Sequence, residues 1–235
     1  SLLGRLPRAR QAPSVGRASL VNRTFGIMGL GRIGEAVAQR AIALGADILA
    51  FQRGPERDEY QIKQARLNRL AAQYGSTYGK DLIGGLEYTQ DKETFFRRSE
   101  IVTLLARLTP ETIGWLGEEE LEQFNDPGKA VRILINTDRG AIFQEAEAFD
   151  WLRRRSEVKA YIDVLINEAG DTRRFFVDAN GDPLPNVKGT GHTGSAVPQV
   201  RDAMQRHALI YDLRALIDGR MPLDPVTPFT DGQDD

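Results

Sequence analysis

The chain has 235 residues, of which 41% are hydrophobic, so it can bury a sizeable core and is too apolar for a disordered protein. Its 31 lysines and arginines nearly balance its 33 aspartates and glutamates, so no overall basic field exists to attract nucleic acid or anionic lipid. The absence of cysteine excludes disulfides, thiolate nucleophiles and iron–sulfur sites, and two histidines leave little for a catalytic metal cage. Organic cofactor chemistry remains open.

The two ends of the chain differ in composition from its middle. Residues 1–34 are rich in arginine and contain no acidic residue, and we interpret 1–22 as a crossover helix or linker. An organelle-targeting segment is the alternative to a cytoplasmic location. Residues 222–235 carry three prolines and an acidic end, which predicts a flexible tail. The apolar stretch 41–51 is interrupted by Gly45 and Asp47 and is too short to cross a membrane.

Short apolar runs alternate along the chain with longer amphipathic or charged segments. The apolar runs predict strands covered on both faces, at 24–28, 47–51, 101–104, 131–135, 159–164 and 187–189. The segments between and after them predict helices at 32–44, 59–74, 91–98, 118–124, 142–155 and 198–218. This alternation predicts an α/β fold with a Rossmann-type doubly wound parallel sheet. We assign residues 23–195 to a dinucleotide-binding domain and residues 196–221 to a C-terminal helix that packs back toward a substrate domain.

A glycine motif joins the first predicted strand to the first predicted helix. It reads Gly29-Leu30-Gly31-Arg32-Ile33-Gly34. In this arrangement the first glycine makes a tight turn, the second lets a pyrophosphate approach the backbone, and the third lets the helix pack against the strand. The phosphate binds N–H groups at the start of the helix. The motif therefore predicts dinucleotide binding, with a tight turn that holds no ligand as the alternative.

The residues after the second predicted strand bear on the choice of cofactor. Domains that bind NAD usually place an acidic residue there to hold the ribose hydroxyls, whereas this chain has Gln52 and Arg53. Neutral Gln52 does not repel a 2′-phosphate, and Arg53 can offer it a bidentate fork. We therefore predict a preference for NADP over NAD, with a solvated Arg53 and NAD binding as the alternative.

Three residues that could perform catalysis follow predicted strands. Arg139, Glu168 and His192 all lie beyond carboxyl ends of strands, the edge of an open α/β sheet where ligands bind. Arg139 can clamp a carboxylate, and His192 can donate a proton to an adjacent carbonyl oxygen as hydride arrives. Glu168 can orient His192 and favour its protonated form. Together these residues predict the reduction of a 2-oxo acid.

From about residue 2 to residue 226 the chain resembles the cofactor-binding part of the D-isomer-specific 2-hydroxyacid dehydrogenases, in which an Arg, a Glu and a His perform these roles. The resemblance rests on the glycine motif and on several further motifs in the family's order. These are Leu108-Thr109-Pro110-Glu111-Thr112, Asn136-Thr137-x-Arg139-Gly140, Asp163-Val164 with Glu168, Leu184-Pro185-Asn186-Val187, His192 and Gly219-Arg220-x-Pro222-Leu223.

The resemblance also implies how the cofactor is held. It implies that Arg32 and Ile33 present backbone N–H groups to phosphate, that Asp163 holds the nicotinamide carboxamide, and that Gln52 and Arg53 match the NADP-using glyoxylate/hydroxypyruvate reductases. The segment around Ala106 and the backbone at Thr137 are expected to touch the cofactor. The expected cofactor-binding set is completed by Arg107, Asp138 and Ser195. The implied substrate is a small 2-oxo or 2-hydroxy acid, and the implied assembly is a homodimer.

The chain departs from the family pattern at several places. Asp138 stands where the family usually has a small residue, and this second carboxylate beside Arg139 would weaken its grip on an anionic substrate. The connection from Arg53 to Ser99 is longer than usual. Family enzymes also carry an N-terminal segment that forms most of a second domain, and we expect that segment, with half the substrate cleft, to be missing here. A non-catalytic NAD(P)-binding module, either an enzyme fragment or a cofactor-sensing domain like a corepressor, is therefore the alternative function.

Overall fold

Seven parallel strands form one sheet in the part of the chain that the computed structural model describes. The strands are β1 (Thr24–Met28), β2 (Asp47–Phe51), β3 (Leu86–Thr89), β4 (Ile101–Leu104), β5 (Ile133–Asn136), β6 (Lys159–Ile162) and β7 (Val187–Gly189). Their order across the sheet is β3-β2-β1-β4-β5-β6-β7. The chain thus moves outward from β1 in one direction and later in the other. This order confirms the predicted doubly wound fold.

The described residues are 20–51, 85–129, 131–169 and 172–193, together with 61–62, 64–65, 67–69 and 71–72. The predicted linker (except residues 20–22), the predicted helix 198–218 and the predicted tail lie outside them, as do Gln52, Arg53 and Ser195. The chain divides into two compact units, residues 1–189 and residues 190–235. All seven strands belong to the first unit.

Four helices with complete bounds connect the strands in the described residues: α1 (Arg32–Ala43), α2 (Lys92–Arg98), α3 (Glu118–Phe124) and α4 (Glu145–Arg154). Short 3₁₀ turns cover Gly140–Ile142 and Arg173–Phe175. Asp91 caps α2, because its carboxylate oxygens accept hydrogen bonds from the backbone N–H groups of Glu93 and Thr94. The described residues between 61 and 72 are helical, in agreement with the helix predicted at 59–74.

The prediction was wrong about one strand and about several boundaries. β3 was not predicted because its sequence, Leu-Glu-Tyr-Thr, has no apolar run, and among its residues only Leu86 is buried. It pairs with β2 alone, at the edge of the sheet, where one face is covered less completely. β5 begins at Ile133 rather than 131, and β6 ends at Ile162 rather than 164. The helix predicted at 142–155 begins only at Glu145, after the 3₁₀ turn.

Both faces of the sheet are covered by apolar side chains. Along β2, Ile48 and Ala50 belong to one buried cluster, and Leu49 and Phe51 to the other. Successive strand side chains point to opposite faces, so this alternation shows that β2 is buried on both sides. The Phe51 ring centroid lies 4.9 Å from that of Trp115, within a group of aromatic rings. Continuous apolar strands are expected in such a sheet.

In the described residues, no helix combines the length and the apolar character that a membrane-spanning segment requires.

Candidate functional site

The turn after β1 has the backbone geometry of a phosphate-binding loop. Gly29 has a φ of 93°, and a β-carbon on it would lie 2.6 Å from the carbonyl oxygen of Leu105. A β-carbon on Gly34 would lie 2.2 Å from the carbonyl oxygen of Gly29. Apart from its chain neighbours, no atom of the described residues lies within 4 Å of the position that a β-carbon on Gly31 would take. Packing therefore requires the first and third glycines, whereas the second faces open space that a phosphate can enter.

The start of α1 is suited to an anion. Gly31 is the residue before the helix, and it has no side chain to cap the first N–H groups. The backbone N–H of Glu35 donates to the carbonyl oxygen of Gly31 at 2.9 Å, which closes the first turn. Arg32 and Ile33 are exposed there, Ile33 by 67%. The positive end of the helix dipole is thus open to a negatively charged group, and the cradle fits the pyrophosphate of a dinucleotide.

The segment after β4 lies beside this turn. The backbone N–H of Leu105 donates to the carbonyl oxygen of Met28 at 2.9 Å, and a β-carbon on Gly29 would lie 2.8 Å from the Cα of Ala106. Thr112 holds the loop, because its Oγ1 accepts from the Thr109 N–H at 2.8 Å and donates to the Arg107 carbonyl oxygen at 2.9 Å. Arg107 is exposed. Ala106 is therefore adjacent to the glycine turn, and its expected contact with the cofactor stays a prediction.

A buried asparagine organises the loop that follows β5. Asn136 is fully buried, its Nδ2 donates to the carbonyl oxygen of Arg139 at 3.2 Å, and its Oδ1 accepts from the backbone N–H of Asp138 at 3.2 Å. The side chain thus fixes the turn through Thr137 at both ends. The Arg139 side chain is 61% exposed, and its Nη1 donates to the carbonyl oxygen of Asp138 at 2.7 Å.

Asp138 presents a half-buried carboxylate in this loop. Its Oδ1 lies 3.8 Å from Nη1 of Arg139, and its Oδ2 is buried without a hydrogen-bond partner among the described residues. Burial raises the pKa of Asp138, while the Arg139 charge acts in the opposite direction.

The loops that carry Arg139 and Glu168 are in contact. A β-carbon on Gly140 would lie 2.1 Å from the carbonyl carbon of Leu165, so only glycine fits where the two backbones meet. Glu168, which is exposed, accepts a hydrogen bond from the backbone N–H of Leu165 through Oε1 at 3.3 Å. The structure therefore brings the Arg139 and Glu168 segments together.

Asp163 lies next to the same loop. It directly follows β6 and is buried, and its backbone N–H donates to the carbonyl oxygen of Asn136 at 2.9 Å. Asp163 thus stands at the carboxyl end of β6, and its expected contact with the nicotinamide carboxamide stays a prediction.

Glu145, at the start of α4, is a site residue that the sequence reasoning missed. Its Oε1 accepts a hydrogen bond from the backbone N–H of Ile166, in the loop that carries Glu168. Burial raises the pKa of Glu145, the Ile166 N–H and the Arg174 charge lower it, and the Glu168 charge raises it. An acidic residue in the first turn of a predicted helix was the available signal, but it indicates a favourable helix start and not a contact across 21 residues.

His192 lies in the second unit, of which residues 190–193 are described. It is exposed, with a φ of 58°, and Thr193 Oγ1 beside it donates to the carbonyl oxygen of Thr190 at 2.9 Å. The convergence of His192 with Arg139 and Glu168 stays a prediction. Among the residues that the structure describes, no cluster of three or more histidine, aspartate or glutamate side chains could hold a metal ion.

Comparison with known families shows to which family the chain belongs. A family model described as "D-isomer specific 2-hydroxyacid dehydrogenase, NAD binding domain" matches residues 6–78 and 74–194. The chain belongs to the D-isomer specific 2-hydroxyacid dehydrogenase family. The matched part is the NAD-binding domain of that family, and the glycine turn and the Arg139 loop both lie within it.

Two curated relatives and one solved structure are similar to this chain. It is 30% identical over 203 residues to a glycerate dehydrogenase of Methylorubrum extorquens, covering 86% of this chain and 52% of the relative. It is 31% identical over 205 residues to a glyoxylate reductase of Thermococcus litoralis, covering 86% of this chain and 51% of the relative. A solved D-lactate dehydrogenase with NAD⁺ from Lactobacillus jensenii is 25% identical with a TM-score of 0.63, covering 92% of this chain and 59% of that one. The chain spans about half the length of the curated relatives it matches.

Proposed function

We propose that this chain belongs to an oxidoreductase that transfers hydride between NADP(H) and a small 2-oxo acid or its D-2-hydroxy acid. The observation that carries the proposal is the backbone contact of Gly140 with Leu165. This contact brings the Arg139 and Glu168 segments together at the carboxyl edge of the sheet that also carries the glycine turn. The names of the glycerate dehydrogenase and glyoxylate reductase relatives support the same class of reaction.

Each of the proposed site residues has a separate role in this reaction. A bound nicotinamide supplies or accepts the hydride. Arg139, whose guanidinium is exposed, clamps the substrate carboxylate through paired N–H donors. His192 donates a proton to the carbonyl oxygen during reduction, and Glu168 orients His192. Asp163 accepts a hydrogen bond from the carboxamide and so orients the nicotinamide ring.

The test of catalysis is turnover of glyoxylate or hydroxypyruvate, followed by the absorbance of reduced nicotinamide. His192→Ala is expected to abolish turnover and to leave the Kd for NADPH within about twofold, because a proton donor acts on the substrate. His207→Gln is the matched control, since His207 is the second of the two histidines in the sequence and stands outside the predicted site.

Two outcomes would contradict this assignment. Simultaneous loss of turnover and of NADPH binding in His192→Ala would indicate a structural histidine. A wild-type chain that shows no turnover, while NADPH still raises its melting temperature, would indicate a cofactor-binding module.

The preference for NADP is a separate part of the proposal and rests on Gln52 and Arg53, which follow Phe51 at the end of β2. The backbone of Phe51 accepts a hydrogen bond from the Gly29 N–H at 3.1 Å, so β2 ends beside the glycine turn. We expect NADPH to bind at least about tenfold more tightly than NADH, and Arg53→Ala to reduce that ratio severalfold. NADH that binds as tightly as NADPH would contradict the preference.

The proposed assembly rests on the family resemblance, and the proposed location rests on the sequence, with organelle targeting as the alternative. A homodimer and a cytoplasmic location are the expected states. Light scattering of the purified chain tests the first, and a monomer at micromolar concentration would contradict it.

A further inference from the structure

Asp138 places a negative charge next to the proposed carboxylate clamp. The carboxylate oxygen Oδ1 lies 3.8 Å from Nη1 of Arg139, and the same nitrogen donates to the backbone carbonyl oxygen of Asp138 at 2.7 Å. The Asp138 side chain is 20% exposed, whereas that of Arg139 is 61% exposed. The guanidinium is therefore folded back toward residue 138, and its outer side faces solvent.

The loop holds this carboxylate in place. Asn136 accepts a hydrogen bond from the Asp138 N–H and donates one to the Arg139 carbonyl oxygen, and Gly140 packs against the backbone of Leu165. Because both flanks of residue 138 are fixed, the backbone that carries the carboxylate cannot move far from that of Arg139 without breaking these contacts.

The charge of Asp138 is little compensated by other groups. Its Oδ2 is buried and accepts no hydrogen bond from any residue that the structure describes, and Arg139 is the charged residue that acts on it. Because Oδ1 lies 3.8 Å from Nη1, an anion oxygen that is hydrogen-bonded to that nitrogen would lie within about 7 Å of this carboxylate. That separation is shorter than the screening length of about 8 Å at physiological salt, so the repulsion is little screened.

We infer that Asp138 is a specificity-determining residue that competes with the substrate carboxylate for Arg139 and disfavours 2-oxo acids bearing a second carboxylate. The inference rests on the proposed function, since it takes Arg139 as the clamp. Asp138 repels the single carboxylate of a monoanionic ligand. A second carboxylate near the same loop is also repelled by Asp138, so a dianionic ligand loses more binding free energy. The site therefore favours small monoanionic substrates.

The experiment measures binding and does not require turnover. Oxamate, a monoanion, and oxalate, a dianion, are titrated calorimetrically into the chain saturated with NADPH. In Asp138→Asn, which keeps the shape of the side chain, the Kd of oxamate is expected to fall roughly three- to tenfold and that of oxalate to fall further. The Kd for NADPH and the melting temperature are recorded for every variant.

Two controls isolate the effect of Asp138. Asp150→Asn removes one negative charge from the exposed surface of α4, where Asp150 pairs with Arg153, and is expected to leave both Kd values unchanged. In the Arg139→Gln background, Asp138→Asn is expected to have little further effect, because the competition acts through Arg139.

The outcomes separate this inference from the proposed function. Unchanged or weaker oxamate binding in Asp138→Asn, an equal effect in Asp150→Asn, or no anion binding by any form would each overturn the inference. Turnover by the wild-type chain would then still support the proposed function. Stronger oxamate binding in Asp138→Asn without turnover by either form would support the inference and contradict catalysis by this chain.

Discussion

Gly140 touches the backbone of Leu165 so closely that a β-carbon at position 140 would lie 2.1 Å from the Leu165 carbonyl carbon. Gly140→Ala must therefore push apart the loops that carry Arg139 and Glu168. We expect the free energy of unfolding to fall by about 2–3 kcal/mol, as for other overpacked sites. Urea denaturation measures the loss. Gly85→Ala is the control, because apart from its chain neighbours no atom in the part of the chain that the structure describes lies within 4 Å of the position that its β-carbon would take. A comparable loss there would contradict the steric explanation.

Substitution of Gly31, in the turn after β1, should weaken cofactor binding and leave the stability of the fold nearly unchanged. Gly31→Ala adds a methyl group to open space, so we expect a change of less than about 1 kcal/mol in the free energy of unfolding. The same methyl group occupies the space that a phosphate enters, and the Kd for NADPH should rise at least about tenfold. Fluorescence titration measures this Kd. Undiminished NADPH binding by Gly31→Ala would place the cofactor elsewhere.

Gly34→Ala should behave in the opposite way. Its β-carbon would lie 2.2 Å from the Gly29 carbonyl oxygen, so the helix must move away from the strand. We expect a loss of about 2 kcal/mol or more in the free energy of unfolding. Thermal and urea unfolding of Gly34→Ala and Gly31→Ala side by side check the contrast, and equal stability of the two variants would contradict it.

Asn136 should be required for the shape of the Arg139 loop. Asn136→Ala removes one hydrogen-bond donor and one acceptor from a fully buried position, which should cost about 1–3 kcal/mol of stability. If the chain turns over a 2-oxo acid, the KM should also rise, because Arg139 loses its support. Asn180→Ala, at an exposed position, is the control for stability. Equal effects of the two substitutions would argue against this role of Asn136.

Local sequence was informative wherever one segment determines its own structure. The apolar runs predicted β1, β2 and β4 with correct bounds, because nearly all of their residues are buried between the covered faces of the sheet. The bounds of β7 were also correct, although only Val187 in it is buried. β3 has only one buried residue, and its pairing with β2 depends on the rest of the sheet. Edge strands of this kind leave little periodic signal.

In the candidate site, too, the sequence predicted local features and missed contacts between distant segments. The glycine motif specifies its turn through local backbone geometry, so it was recognisable from sequence. The contact of Glu145 with the backbone of Ile166 joins segments that are 21 residues apart in the sequence, and neither segment has a sequence pattern that predicts it. The role of Asn136 was likewise hidden, since an asparagine after a strand is common and its burial appears only in the folded chain.

Lys129 should make stability depend on pH. Its Nζ donates to the carbonyl oxygens of Phe96 and Phe124 at 3.0 and 2.8 Å, and burial lowers the pKa of Lys129 from 10.5 to about 8. The unfolded chain then holds more protons than the folded chain between about pH 8 and 10.5. The contribution of Lys129 to the free energy of unfolding therefore rises with pH over this window.

The comparison that tests this prediction is the wild-type chain against Lys129→Met. The variant lacks both hydrogen bonds, and we expect it to be less stable by about 1–3 kcal/mol at neutral pH. The difference in unfolding free energy should widen as the pH rises from about 8 to 10, because all other titrating groups are common to both proteins. A difference that is flat or shrinks over this range would contradict the assignment.

Two main-chain hydrogen bonds tie the glycine turn to both neighbouring strands. The N–H of Gly29 donates to the carbonyl oxygen of Phe51, and the N–H of Leu105 donates to the carbonyl oxygen of Met28. Such bonds do not depend on which side chains stand at positions 28, 51 and 105. Substitutions at these positions can therefore alter the core while leaving these two bonds in place, in keeping with the 30% and 31% identity of this chain to the two curated relatives.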